Sequence, residues 1–423
     1  MDGGGNDTIV ARSTDGGINW DYTMTNYYPD NGNVFNMAST SVCDSELVTD
    51  GKNVYMLTVF FPAGYALNNK SANNQLESNN GTAFDDQGRV KLAQGTSSNY
   101  AYYLGEFNQA GPDGRAPIMN NDGSETGYYA DHDYYIYNGT SKTGGNLFYS
   151  DGEFQTAKVN FLLFRKSTDG GATWSDFTPV PAKNSSEAFF GVGPGRGIYD
   201  AAHNRLIFST YTWNGSNNSQ RSSFIYSDDE GKTWHRSPDF PKISGAFNGN
   251  WSSESTLVQL DDNRLRCFVR NGWKRMEYAD AVWNETTQSY SWPDGYKDLY
   301  LQINGTPETL DVGSDSGCML SALKYSEKLQ YNGNYYTAIF ISTPRQSRAG
   351  GVIYTVLLDD DYNVVNIDSS KKDNNKQIMY TLTTDGIYFG YSCLVEHPDG
   401  SLGILYEING ARDLKYETLD ATK

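Results

Sequence analysis

The chain has 423 residues, with 33 Lys+Arg against 51 Asp+Glu and a formal charge of −18. That balance argues against a nucleic-acid or anionic-membrane partner, both of which draw on basic surface, so an acidic ligand would need a local arginine cluster. Aromatic residues make up 14%, 32 of them Tyr, which excludes a disordered acidic chain. Cys43, Cys267, Cys318 and Cys393 are too widely spaced for a disulfide scaffold or a zinc motif. No apolar run reaches membrane-spanning length.

In chain order, strand-like runs cover Asp7–Arg12, Asn53–Phe61, Val159–Lys166, Arg205–Trp213 and Ser223–Ser227. They continue with Ser255–Leu260, Arg264–Arg270, Tyr335–Ser342, Val352–Leu358 and Leu402–Glu407. Turn residues separate them, as at Asp261-Asp262-Asn263, Asn332-Gly333-Asn334 and Pro398-Asp399-Gly400. No long stretch has helical periodicity, so the fold class is all-β.

An internal repeat narrows the architecture. Ser13-Thr14-Asp15-Gly16-Gly17-Ile18-Asn19-Trp20 recurs at Ser167–Trp174 and Ser227–Trp234, always as S-x-D-x-G-x-x-W after a strand. Ser and Asp suit local bonds to backbone N–H groups, Gly a left-handed turn, and Trp an anchor, so the boxes read as structural. Repeated four-stranded units with a box at one hairpin imply a β-propeller. The second and third boxes start 60 residues apart, about one blade, whereas the first and second start 154 apart. The polar, Gly/Asn/Tyr-rich segment 63–151 between them is therefore expected to be a β-rich lobe inserted in a single catalytic domain spanning 1–423.

The stretch from Phe189 to Arg270 is more specific than the boxes. It holds Phe189-Phe190-Gly191-Val192-Gly193-Pro194-Gly195, then Ile225–Asp229, Glu254-Ser255-Thr256-Leu257-Val258-Gln259-Leu260 and Phe268-Val269-Arg270. Tyr391-Ser392 and Gly403-Ile404-Leu405-Tyr406-Glu407 follow. In this order the motifs resemble the bacterial sialidases (neuraminidases, exo-α-sialidases) with Asp-box repeats, over nearly the whole chain except the inserted lobe. The resemblance implies a six-bladed propeller, removal of terminal sialic acid from glycoconjugates, no metal or organic cofactor, and a secreted or cell-surface location.

The residues it implies suit that chemistry. A sialoside carries a carboxylate on its anomeric carbon, which would repel an anionic nucleophile; a neutral phenol avoids this if a nearby carboxylate takes its proton. Tyr391 is implied as that nucleophile, Glu254 as its base and Asp2 as the acid/base serving the leaving group. Asp2 lies eleven residues before the first box serine, as the family's acid/base Asp does. Arg270 and Arg348 match two of three arginines that bind the substrate carboxylate, for which guanidinium geometry is suited. Arg345 competes with Arg348, which is favoured by the following Ala349-Gly350-Gly351-Val352. Asp44, Tyr211 and Gln220 match pocket-lining positions, and Glu407 matches the carboxylate that orients the first arginine.

That first arginine belongs well upstream of Asp2, and no residue here fills its place; Arg12 enters the first box from the wrong end. The first blade is accordingly expected to be incomplete, the chain to be part of a longer protein, and its activity as written to be weak. An intramolecular trans-sialidase releasing an anhydro sugar is one alternative, although no Trp follows Trp292 to crowd the pocket after the nucleophile. A non-catalytic sialoglycan-binding propeller is the other. The glycine run Gly191–Gly197 lacks the βαβ setting of a nucleotide loop, and Asp131-His132-Asp133 lacks further spaced His for a metal.

Overall fold

Central strands in the second half of the chain bury both of their faces, and their residues are chosen accordingly. Leu257 packs with Ile207, Phe224 and Trp283, whereas its neighbour Val258 points the other way to Leu320, Ile341 and Val356. Likewise Ile339 belongs to the second of these cores, and Phe340 turns to a third with Leu394, Leu402 and Ile404. Successive side chains leave opposite faces of a strand, so sheets covered on both sides read as continuous apolar runs. Face-to-face sheets, each sharing a core with the next, are the packing of propeller blades.

The structure, a computed structural model, describes residues 7–26, 40–62, 81–107, 111–149, 152–214, 219–242, 251–271, 276–303, 306–309, 318–365 and 378–421. The chain forms two compact units, Met1–Val192 with Thr212–Asn217, and Gly193–Tyr211 with Asn218–Lys423. In the second unit, Arg205–Trp213, Arg221–Ser227 and His235–Arg236 form one antiparallel sheet. Ser252–Asp261, Arg264–Asn271, Glu277–Asn284 and Ser289–Ser291 form the next. Ser321–Lys324, Asn334–Gln346, Ala349–Leu358 and Ile378–Thr381 form a third, and Ser392–Glu396, Leu402–Ile408 and Asp413–Leu419 a three-stranded fourth.

The first unit holds the hairpin Thr8–Arg12 with Asp21–Asn26, and a sheet built on Ser41–Thr49, Val54–Phe61, Phe161–Ser167 and Thr178–Val180. Between Val54–Phe61 and Phe161–Ser167 the chain makes a separate seven-stranded antiparallel sheet, running from Lys91–Gln94 to Phe154–Thr156. It shares one core with the blade: Leu92, Ile118, Ile136 and Phe154 lie with Phe60, Phe161 and Leu163. The described chain is thus all-β, with propeller-type sheets and one 3₁₀ turn at Pro112–Gly114. No helix among the described residues is long and apolar enough to cross a membrane. No group of three His, Cys, Asp or Glu among them is placed to hold a metal ion.

The three Asp boxes have one hydrogen-bond pattern. In the first, Ser13 Oγ accepts from Gly17 N at 2.8 Å, Asp15 Oδ1 accepts from Asn19 N at 2.9 Å, and Trp20 Nε1 donates to Gly17 O at 3.0 Å. The same three bonds recur from Ser167, Asp169 and Trp174, and from Ser227, Asp229 and Trp234. The turn needs a left-handed residue, which is Gly16 (φ 74°) and Gly170 (φ 69°) in two boxes and the strained Glu230 (φ 59°) in the third. In that third box Asp228 also reaches down to buried Arg205, whose guanidinium lies 3.7 Å from the Trp283 ring.

Hydrogen bonds from the Thr173 side chain, the Thr173 amide and Ser167 hold the Asp169 carboxyl at about 2, well below its usual 3.8. A depressed carboxylate stabilises the fold above its unfolded pKa, and that contribution disappears as pH falls through the folded value. Asp169→Ala is therefore expected to lower Tm at pH 7, with the gap to wild type closing between about pH 4 and pH 2. Thermal unfolding of both proteins across that range measures it, and a pH-independent gap would contradict it.

Candidate active site

The site grows from a bulge. Ser252 pairs with Asn271 and Ser255 with Val269, so Ser253 and Glu254 together oppose Arg270. An extra residue on one strand re-aims its side chain, and here Glu254 meets Arg270 across the ladder. Glu254 Oε2 accepts from Arg270 Nη1 at 2.5 Å, with Glu254 only 4% exposed. The glycine run finds a packing role beside this strand: a Cβ on Gly193 would lie 2.5 Å from Ser255 O and 2.4 Å from Ser209 Oγ.

Tyr391 arrives from the last sheet, one residue before the strand Ser392–Glu396. Its Oη donates to Glu254 Oε1 at 2.5 Å and accepts from Arg270 Nη1 at 3.0 Å. Phenol, carboxylate and guanidinium therefore close a triangle, with 121 and 137 residues of chain between the phenol and its two partners. Burial by itself would lower the Arg270 pKa, but the adjacent Glu254 and Tyr391 outweigh it and hold the guanidinium firmly protonated.

Arg348 caps the hairpin between Asn334–Gln346 and Ala349–Leu358, in a left-handed conformation (φ 58°). Its guanidinium carbon lies 5.0 Å from the centroid of the Tyr391 ring. Arg345, its competitor in the sequence, is ion-paired to Asp385 instead. Glu407 accepts at Oε2 from Tyr391 N and Tyr388 Oη, both at 3.3 Å, and its backbone pairs with Tyr391 and Gly390.

Two residues of this region carried no signal in the sequence. Tyr388 donates from its Oη to Glu407 Oε2, and its backbone bridges to Ala349 beside Arg348. Cys318 is a buried thiol; burial pushes it up to about 11, and nearby Arg348 and Arg270 only partly oppose this.

The other expected residues fall differently. Gln220 lies beside the start of the Glu254 strand, its O accepting from Ser252 N at 3.2 Å, and its Oε1 is buried without a hydrogen-bond partner. Tyr211 is buried near the end of the strand Arg205–Trp213. Asp44 belongs to the first unit, at a bulge between Cys43 and Ser45 with φ 45°. Arg12, in the same unit, lies 3.7 Å from Asp21. Asp2 lies outside the described residues.

The structure is a propeller of Asp-box sheets that brings a Tyr–Glu pair together with two arginines, and known proteins are similar to it. The BNR/Asp-box repeat model matches residues 225–236. The anhydrosialidase of Macrobdella decora is 27% identical over 435 residues, covering 94% of this chain and 53% of that protein. The sialidase of Paraclostridium sordellii is 30% identical over 60% of this chain and 57% of its own length. Among solved structures, the intramolecular trans-sialidase from Ruminococcus gnavus in complex with oseltamivir carboxylate superposes with a TM-score of 0.73 at 24% identity, over 100% of this chain and 89% of that one. The chain is thus similar to sialidases over most of its length and has the β-propeller fold of these solved structures. It spans about half the length of these two curated relatives.

Tyr391 and Arg348 are registered to each other through Phe389. Phe389 N donates to Arg348 O at 2.9 Å, and its fully buried ring occupies the space a side chain on Gly351 would take: a Cβ there would lie 2.1 Å from the ring. Gly351→Ala is expected to cost about 1–3 kcal/mol by overpacking. Urea unfolding reads this directly, and a stability equal to wild type would show that the contact is not tight.

Proposed function

We propose that this chain is the catalytic propeller of a retaining exo-α-sialidase. The observation that carries the reading is the short Tyr391–Glu254 hydrogen bond bridged by Arg270. Arg270 and Arg348 bind the substrate carboxylate, which fixes the anomeric carbon over the Tyr391 oxygen. As that oxygen attacks, its proton passes to Glu254, and the growing C–O bond displaces the glycan while Asp2 supplies the proton to the leaving oxygen. Arg270, already donating to the phenol oxygen, stabilises the negative charge that develops there. A tyrosine in this role departs from the two-carboxylate scheme of most glycosidases, as sialidases do. In the second step Asp2 activates the incoming hydroxyl and the phenol regains its proton.

Asp44, Tyr211 and Gln220 complete the reading as contacts to the sugar's substituents, with the unpaired Gln220 Oε1 offering an acceptor. Glu407 is the supporting carboxylate, held by Tyr388 and by the amide of Tyr391. The seven-stranded sheet is the lobe inserted in the catalytic domain, and the protein acts outside the cell on sialylated glycoproteins and glycans.

The incoming hydroxyl defines a second reading. The Macrobdella decora relative is an anhydrosialidase, and the leech intramolecular trans-sialidase, solved with 2,7-anhydro-Neu5Ac, covers 99% of this chain. These likenesses favour attack by a hydroxyl of the bound sugar itself, releasing an anhydro sugar, over attack by water. NMR of the first-formed product separates the two.

Tyr391→Phe removes the nucleophilic oxygen together with its hydrogen bonds to Glu254 and Arg270. It is expected to lower kcat for a fluorogenic sialoside by at least about 10³-fold while binding of the sugar persists. Turnover at the wild-type rate would refute a covalent role for Tyr391, whereas a wild type that binds the sialoside without turning it over would leave a sialoglycan-binding propeller.

A further inference from the structure

The bulge that aims Glu254 costs its strand a ladder partner. Ser253 and Glu254 together face the single Arg270, so the two share one opposing residue. Ser252, Ser253 and Glu254 are all buried, and buried backbone groups need partners as much in a bulge as in a regular ladder. Here the partners come from the neighbouring sheet.

Ser222, the second residue of the strand Arg221–Ser227, is fully buried, and each of its polar groups is used. Its N donates to Ser252 Oγ at 2.9 Å, and its Oγ donates to Ser253 O. Its own carbonyl accepts from Phe240 N at 2.7 Å. Two residues earlier, Gln220 O accepts from Ser252 N at 3.2 Å. Hydrogen bonds from 220 and 222 thus hold both of the residues that precede Glu254.

The bond from Ser222 Oγ reaches Glu254 through the chain itself. Ser253 O and Glu254 N belong to one planar peptide, which resists twisting. Holding the oxygen therefore sets the direction in which the chain enters Glu254, and with it where that side chain points. The far end of the side chain meets Tyr391 Oη at 2.5 Å, and in an active site a misplacement of about 1 Å can cost about 10²-fold in rate. Alanine at 222 would leave Ser253 O buried without this donor.

We propose that Ser222 is a positioning residue, whose hydroxyl fixes the Ser253–Glu254 peptide and so holds Glu254 against Tyr391. Its effect on turnover rests on the sialidase reading of that pair; its effect on the placement of Glu254 does not. Glu254 takes the proton only as the Tyr391 oxygen attacks, so its misplacement weakens the transition state and spares ground-state binding. The loss appears in kcat and leaves KM.

The test compares the full chain with Ser222→Ala and with Ser222→Cys, which nearly keeps the volume but donates weakly, so that one variant survives if the cavity left by alanine unfolds the other. Ser223→Ala is the control, since Ser223 is likewise buried and its Oγ pairs with Thr210 Oγ1 at 2.8 Å inside its own sheet. Crystal structures are expected to show the Glu254 carboxylate within hydrogen-bond reach of Tyr391 Oη in wild type and Ser223→Ala, and displaced by about 1 Å in the Ser222 variants. With a fluorogenic sialoside, the Ser222 variants are expected to lose about tenfold in kcat with KM within about twofold, while Ser223→Ala keeps both. Glu254 in its wild-type place in the Ser222 variants overturns the proposal, as does an equal loss of kcat in Ser223→Ala, which marks a merely structural hydroxyl. A displaced Glu254 in a protein whose wild type neither binds nor turns over the sialoside supports the positioning role and refutes the sialidase reading.

Discussion

A buried charge that must not be left alone organises this site. Arg270 and Glu254 are largely withdrawn from water, and each would be costly without the other. Removing one partner of such a pair typically costs about 3–5 kcal/mol, because the survivor stays buried and uncompensated. The pair is also incomplete by itself, since each carboxylate oxygen and each guanidinium N–H seeks a partner. The Tyr391 hydroxyl meets both needs, donating to one and accepting from the other. The geometry that satisfies the buried pair also holds the phenol against a carboxylate.

That triangle is assembled from two sheets, so it depends on how the sheets are joined. Small hydroxyl side chains make these joints. Ser342 Oγ and Ser392 Oγ are 2.7 Å apart in the interior, and Ser321 Oγ accepts from Leu394 N at 2.9 Å. Ala322 N donates to Thr256 Oγ1 at 3.4 Å, and Ser222 N to Ser252 Oγ at 2.9 Å. Such bonds replace ladder pairing where blades meet, and they fix the relative height of neighbouring strands more closely than apolar contact alone. The apolar cores supply cohesion, while the hydroxyls set the register from which Glu254 and Tyr391 project.

The arginines of the second unit show how context sorts chemically identical groups. Arg205 is bound by both oxygens of Asp228 and stacked on aromatic rings, and Arg266 is bound likewise by Asp280. Each already has a whole carboxylate. Arg270 shares its carboxylate with a phenol, and Arg348 lies 5.0 Å from the centroid of the Tyr391 ring. Which partners each guanidinium receives is decided by what the neighbouring strands present.

Much of this was legible in the chain itself, because the signals are local. The boxes at Ser13, Ser167 and Ser227 spell their own hydrogen bonds, and apolar runs such as Arg205–Trp213 and Val352–Leu358 declare strands covered on both sides. Family motifs around Glu254, Arg270 and Tyr391 picked out side chains that do meet. Tertiary structure alone decided what depends on long-range register. It gave Arg345 to Asp385 and turned Arg348 toward Tyr391, although the two lie three residues apart on one hairpin. It also set Tyr388 against Glu407 and buried Cys318 near two cations. No sequence window spans those neighbours: backbone pairing between separate sheets brings them together, and whether a tyrosine packs or orients follows from what the opposite strand presents.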